Sequence, residues 1–177
     1  IEPRLEQVAR GFASLAWALG YQDRELIALF QNAMNLLDTG HPDRARRIFI
    51  ALVTLDDAVP VFHLGLATCY EALGDRRRAR RSYDEAVQRA RGVRDGEDIL
   101  ADVLLRRAHF FNRQGRRDRA QSDVEELLRV APVDGTYFLR VFGFGGATGP
   151  YTVEALRADG ELCADDAFEE NDDRFNA

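Results

Sequence analysis

Residues 61–74 read Val61-Phe62-His63-Leu64-Gly65-Leu66-Ala67-Thr68-Cys69-Tyr70-Glu71-Ala72-Leu73-Gly74. Pro60 suits the first turn of a helix, and Gly74 can end one, because a left-handed backbone costs glycine little. The same pattern recurs when Gly40, Gly74 and Gly115 are aligned. Seven residues before each glycine stands Ala33, Ala67 or Ala108, and four before it Leu36, Tyr70 or Phe111. Five residues after each stands Ala45, Ala79 or Ala120, followed four later by Phe49, Tyr83 or Val124. Small residues at fixed positions let paired helices approach closely, and the bulky residues fill the space between neighbouring pairs.

The spacing predicts helices near 23–38, 42–55, 60–73, 76–90, 97–114 and 117–130. Successive glycines lie 34 and then 41 residues apart. The first interval is the tetratricopeptide period. The second is that period plus seven residues, which the loop-like Gly92-Val93-Arg94-Asp95-Gly96 would absorb. Before the repeats, Leu5, Val8, Phe12, Leu15 and Leu19 follow helical spacing and predict one amphipathic helix over 3–19, with Trp17 adding bulk. That helix reads as a cap over the first hairpin's apolar face, with a dimerisation arm as the alternative. The expected fold class is all-α: a tetratricopeptide-repeat α-solenoid of three helical hairpins plus an N-terminal helix, carrying a short β-hairpin-like C-terminal appendage.

Composition and charge narrow the function. The 177 residues are 46% hydrophobic and 31% charged, ordinary for a soluble globular chain. Net charge −6 argues against wholesale nucleic-acid binding. No apolar run approaches the ~18 residues of a membrane span. All 24 basic residues are arginine, which reads as genomic base bias. Arginines crowd the start of each second helix: Arg44, Arg46 and Arg47; then Arg76, Arg77, Arg78, Arg80 and Arg81; then Arg116, Arg117 and Arg119. Acidic residues follow on the same helices, so intrahelical pairing on a solvated face is the plain reading, and contact with an acidic partner or RNA the sharper one. Residues 1–132 carry 21 Arg against 20 Asp and Glu, whereas 133–177 carry 3 against 10. That acidic stretch is itself a candidate partner for the arginine face. The shift near Pro132 divides a repeat domain, 1–132, from an acidic, β-rich appendage, 133–177.

The stretch Leu26-Ile27-Ala28-Leu29-Phe30, with Gly40 and Ala51-Leu52-Val53-Thr54-Leu55-Asp56, resembles the first repeat of class II type III secretion chaperones. Residues 61–74 resemble their second repeat more specifically, through Leu64-Gly65-Leu66-Ala67, Cys69 and Gly74. The third repeat is generic. The resemblance spans roughly residues 20–130. It implies a small cytoplasmic chaperone that keeps secreted, membrane-inserting translocator subunits soluble by holding an extended client segment in a concave groove, and that often dimerises through its N-terminal helices. It implies no catalysis and no cofactor. A generic scaffold for protein complex assembly is the alternative role.

The first helix of each hairpin lines the concave face, through its positions 2, 5, 9 and 12. These are Ile27, Phe30, Met34 and Leu37; then Val61, Leu64, Thr68 and Glu71; then Asp102, Leu105, His109 and Asn112. One end of the groove is thus apolar and the other polar, and coverage of these residues by the N-terminal helix or the tail is the alternative to client binding. Burial of client side chains there would contribute about 25 cal/mol per Å² of apolar area.

No residues point to an enzyme. His41, His63 and His109 lie in different repeats and lack ligand spacing, so no metal site is expected. Cys69 sits among apolar helix residues and reads as a small core residue. Gly143-Phe144-Gly145-Gly146 follows a strand-like run but leads into no helix, unlike a dinucleotide fingerprint. Thr136–Phe142 and Tyr151–Ala155 read as two strands. With Gly135, Gly146 and Gly149 they resemble the last strands of bacterial pre-peptidase C-terminal domains, and Cys163-Ala164-Asp165-Asp166-Ala167-Phe168 resembles the opening of another. That second resemblance implies an extracytoplasmic setting, as the appendage of a secreted peptidase or surface protein. It also offers Glu169, Asn171 and Asp172 as oxygen ligands for calcium, beside the plain reading of a solvated acidic tail.

Overall fold

The structure is a computed structural model, and it describes residues 2–11, 13–94 and 96–130. The expected strands at 136–142 and 151–155, the candidate calcium ligands and the division at 132 lie outside the described residues. Eight helices run in chain order: α1 (Glu2–Ala9), α2 (Leu15–Leu19), α3 (Asp23–Asp38), α4 (Pro42–Leu55), α5 (Pro60–Ala72), α6 (Arg76–Arg91), α7 (Glu97–Arg113) and α8 (Arg117–Val130). The described residues contain no strand. The six expected hairpin helices are all present, with ends within two residues of those expected.

Each hairpin turn is the same device. Gly40, Gly74 and Gly115 have φ of 77°, 77° and 71°. Each glycine N–H donates to the carbonyl three residues back, on Leu37, Glu71 or Asn112, at 3.0 Å. The next N–H reaches back further, to Leu36 (2.7 Å), Tyr70 (2.9 Å) or Phe111 (3.0 Å). This paired closure satisfies carbonyls that the helix end leaves orphaned. The chain then re-enters a helix with help: Pro42 occupies the first turn of α4, and the Asp75 carboxylate accepts from the Arg78 N–H at 3.0 Å, while Pro60 opens α5 after the loop between hairpins.

Two expectations need correction. Residues 3–19 do not form one helix. Gly11, at φ 75°, closes the chain back on the Val8 carbonyl, and Ser14 caps a new helix by accepting from the Trp17 N–H at 3.3 Å. The stop and start signals of Gly11 and Ser14 override the apolar periodicity. Phe12, one of the expected apolar positions, lies outside the described residues. The extra seven residues of the third repeat are also not a loop insertion. α6 has 16 residues against 14 in α4, and α7 has 17 against 13 in α5, while the loop 92–96 is one residue longer than 56–59. The helices absorb most of the length.

Packing follows the alanine rule. Ala33, Ala45, Ala67 and Ala79 have no exposed surface, and Ala108 and Ala120 are buried. Phe49 is fully buried and Tyr83 nearly so, whereas Val124, their counterpart in the last hairpin, is half-buried. One core gathers Leu26, Phe49, Leu52, Phe62 and Leu66, and Ala16 of α2 joins it. The second gathers Tyr83, Val87, Val103, Leu104 and Phe110. Arg107, largely buried on α7, ties the last three helices by ion pairs to Asp123 (2.6 Å) and Asp84 (3.1 Å).

Neighbouring first helices touch, α3 against α5 and α5 against α7, but successive second helices do not. Only long side chains bridge the latter, as Arg91 does to Glu126 at 2.7 Å. The stack therefore curves with α3, α5 and α7 on its inner face.

Gly65 sets the closest approach. A Cβ placed there would overlap the ring of Phe49 across the α4–α5 contact. Gly65→Ala should therefore lower stability by about 1–3 kcal/mol in urea unfolding, although the same change in an exposed helix interior raises it by about 1. Adding Phe49→Leu should recover part of the loss.

Candidate functional site

The inner face places the expected groove residues in two different settings. On α3, Ile27 is 54% exposed and free to meet another molecule. Phe30, Met34 and Leu37 are half-buried against the first core. The Phe30 ring meets Phe49 edge-on at 5.9 Å and lies 6.0 Å from Phe62. Phe30 thus spends much of its surface on its own chain. On α5, Val61 is half-buried against the same core, and Leu64 is 7% exposed within the second core. Leu64 therefore supports the wall from behind and offers almost no surface of its own.

The polar end is where the inner face opens. Thr68 and Glu71 of α5 meet His109 and Asn112 of α7 around a cleft of about 330 Å³. Tyr83, Arg106 and Arg113 complete its lining. Leu105, one turn away on α7, is 43% exposed. The apolar residues of α3 are thus not gathered into this cleft.

Charge in the cleft is organised around Glu71. Its carboxylate accepts from the Tyr83 hydroxyl at 2.8 Å and pairs with Arg113 at 2.7 Å. Burial pushes the Tyr83 phenol well above its ordinary range, and the Glu71 carboxylate adds to the shift. The phenol stays protonated and remains a donor. The Thr68 hydroxyl donates to the Leu64 carbonyl at 3.0 Å, and Arg106 pairs with Asp102 at 3.0 Å. His109 and Asn112 are exposed beside these pairs. The cleft presents hydrogen-bond donors and acceptors on its lining side chains, and nothing in it is arranged as a nucleophile with a base.

Position counting missed Arg106, Arg113 and Tyr83. The signal for the arginines was present, since both lie one helical step from His109 on α7, at i−3 and i+4. Tyr83 comes from the second helix of its hairpin, which the counting rule leaves out.

His63, outside the cleft, has a structural role. His63 is buried, with Nε2 2.8 Å from the Asp57 carbonyl oxygen, which also accepts from Arg89 at 2.9 Å. Among the described residues no group of three His, Cys, Asp or Glu side chains could hold a metal ion. No described helix is long and apolar enough to cross a membrane.

No protein-family model matches the chain, and no curated protein matches its sequence. Solved structures do. The translocator chaperone SycD of the Yersinia enterocolitica type III secretion system matches at 23% identity and TM-score 0.59, over 67% of this chain and 83% of that one. A T3SS complex from Aeromonas hydrophila matches at 26% identity and TM-score 0.62, over 73% and 81%. PcrH, solved in complex with the chaperone binding region of PopB, matches at 25% identity and TM-score 0.54, over 63% and 85%. The chain therefore has the helical-repeat fold of these proteins, as the resemblance over roughly residues 20–130 led one to expect. None of these likenesses supports the resemblance of residues 133–177 to pre-peptidase domains.

Cys69 is fully buried beneath this face, and burial pushes its thiol up to about 12. A neutral, enclosed thiol is a poor nucleophile. Iodoacetamide should leave Cys69 unmodified in the native protein and label it only after unfolding, as read by peptide mass spectrometry.

Proposed function

We propose that this chain is a non-enzymatic, chaperone-like module that holds an extended client segment along the inner face of its repeats, for a type III secretion-like system. The observation that carries the reading is the open cleft between α5 and α7, lying on the same face as the exposed Ile27 and Leu105. A backbone threaded there meets donors and acceptors on Thr68, Glu71, His109 and Asn112, while its apolar side chains can cover Ile27 and Leu105. The likeness to PcrH, solved with the chaperone binding region of PopB, and to SycD, solved with a peptide of the translocator YopD, supports a translocator-like protein as the client. Such a role calls for a cytoplasmic setting and for no cofactor. The repeat domain, residues 1–132, would suffice for it.

Homodimerisation fits the same reading. Leu5, Trp17, Leu19 and Tyr21 are each more than 40% exposed, while Ala16 and Ala18 beside them are buried. The α1–α2 segment thus caps the first core with its small residues and turns its large apolar ones outward, where a second copy could cover them.

Co-expression with a translocator fragment should raise that fragment's soluble yield. Ile27→Glu and Leu105→Glu, both at exposed positions, should fold normally and abolish the gain. Folded variants that still solubilise the fragment would remove the groove from consideration. Leu64→Glu is expected to unfold the protein instead, because its side chain is buried. For the dimer, Trp17→Glu with Leu19→Glu should shift the light-scattering mass to that of a monomer without changing the circular dichroism.

A further inference from the structure

The turns within the three hairpins form one edge of the stack, and that edge is strongly basic. Residues 41–47, 75–81 and 116–119 hold eleven arginines against three aspartates. The turns are neighbours in space. Arg46 of α4 and Arg78 of α6 both lie over the Tyr70 ring, at 6.0 and 5.7 Å, and Arg113 beside the third turn pairs with Glu71 beside the second.

One arginine recurs at the same position in every repeat. Four residues past each turn glycine stands Arg44, Arg78 or Arg119. In the second and third hairpins the guanidinium lies over the aromatic residue that closes the preceding helix: Arg78 over Tyr70, and Arg119 over Phe111 at 5.5 Å. Stacking of this kind fixes the direction of an otherwise flexible side chain.

Helix stability does not account for the charge. Positive groups are disfavoured near a helix N-terminus, where the dipole and free N–H groups already present positive charge. Yet α6 opens on Arg76-Arg77-Arg78 with no acidic residue in its first turn. No ion pair among the described residues reaches Arg44, Arg76, Arg77 or Arg81. Arg77, Arg78, Arg80 and Arg81, together with Asp75 and Asp84, line an open trough of about 640 Å³, in which Arg78 pairs with Asp75 (3.5 Å) and Arg80 with Asp84 (3.9 Å) while Arg77 and Arg81 make no ion pair among the described residues.

We propose that this edge is a docking surface for an acidic segment of a partner polypeptide, separate from the inner-face groove. Adjacent packed helices are spaced ~10 Å apart. Three turns therefore span about 20 Å, which is the reach of roughly six extended residues. A segment with carboxylates spread over that length would meet one arginine group per turn. The rings on this edge lie beneath guanidinium groups, so they are poorly placed for the base stacking of single-stranded RNA. Leu73 is the one large apolar side chain exposed at the described turns, too little for insertion into a lipid surface.

The test is fluorescence anisotropy with a labelled oligoglutamate of about ten residues and the full chain. Binding should be salt-sensitive. It should weaken at least about tenfold in the combined variant Arg76→Ser, Arg77→Ser, Arg81→Ser, whose residues make no ion pair and whose loss should leave thermal unfolding unchanged. Ile27→Glu, in the groove, should bind oligoglutamate as the parent does, so failure of the groove reading and failure of this one are distinguishable. The proposal is overturned if the parent does not bind, if the triple variant binds equally well, or if polyuridylate or phosphatidylserine vesicles bind more tightly than oligoglutamate.

Discussion

The stack depends on how closely one helix can approach the ring carried by another. Gly65 of α5 lies against Phe49 of α4 with no room for a single methyl group. Ala33, Ala45, Ala67 and Ala79 have no exposed surface at the corresponding helix contacts. Small residues bring the backbones together, and one ring per hairpin fills what remains. The two rings that do this, Phe49 and Tyr83, are buried because another hairpin follows each of them. Val124 has the same place in the third hairpin and is only half-buried. The depth of burial is thus a property of the neighbour as much as of the residue.

That constraint explains why the repeats could be read from the sequence and the flanking parts could not. Alanine five after, and seven before, each turn glycine is a demand of packing geometry, and it recurs wherever the geometry does. The length of a helix is under no such demand. The seven added residues of the third repeat therefore went mostly into α6 and α7, while Gly92 and Gly96 drew attention to the loop. At the N-terminus the apolar spacing from Leu5 to Leu19 was real, but periodicity describes which face is buried and not whether the backbone is continuous. Gly11 and Ser14 decide continuity, through a left-handed φ and a side-chain cap.

The inner face was legible in part for the same reason. Counting along the first helix of each hairpin finds residues that share a side of the stack, and Thr68, Glu71, His109 and Asn112 do line one cleft. Counting cannot tell a side chain that faces outward from one that leans back into the core. Phe30 leans onto Phe49 and Phe62, and Leu64 joins the second core, whereas Ile27 at an equivalent spacing stays open. The difference comes from what the second helices place behind each position, which no single-helix pattern contains.

The groove and the stack are also not independent. Tyr83 fills the second core with its ring and donates its hydroxyl to Glu71, which in turn holds Arg113 of the next hairpin. A polar group that lines the cleft is thereby fixed by a ring that the packing already requires. Because that ring is immobilised by core contacts, the Glu71 carboxylate is oriented before any ligand arrives, and less side-chain entropy remains to be lost on binding. On α3, Ile27 is apolar and 54% exposed, so no hydrogen bond or ion pair fixes its direction. Shape and direction in recognition would therefore come from the α5–α7 end of the inner face, and the α3 end would add apolar area alone.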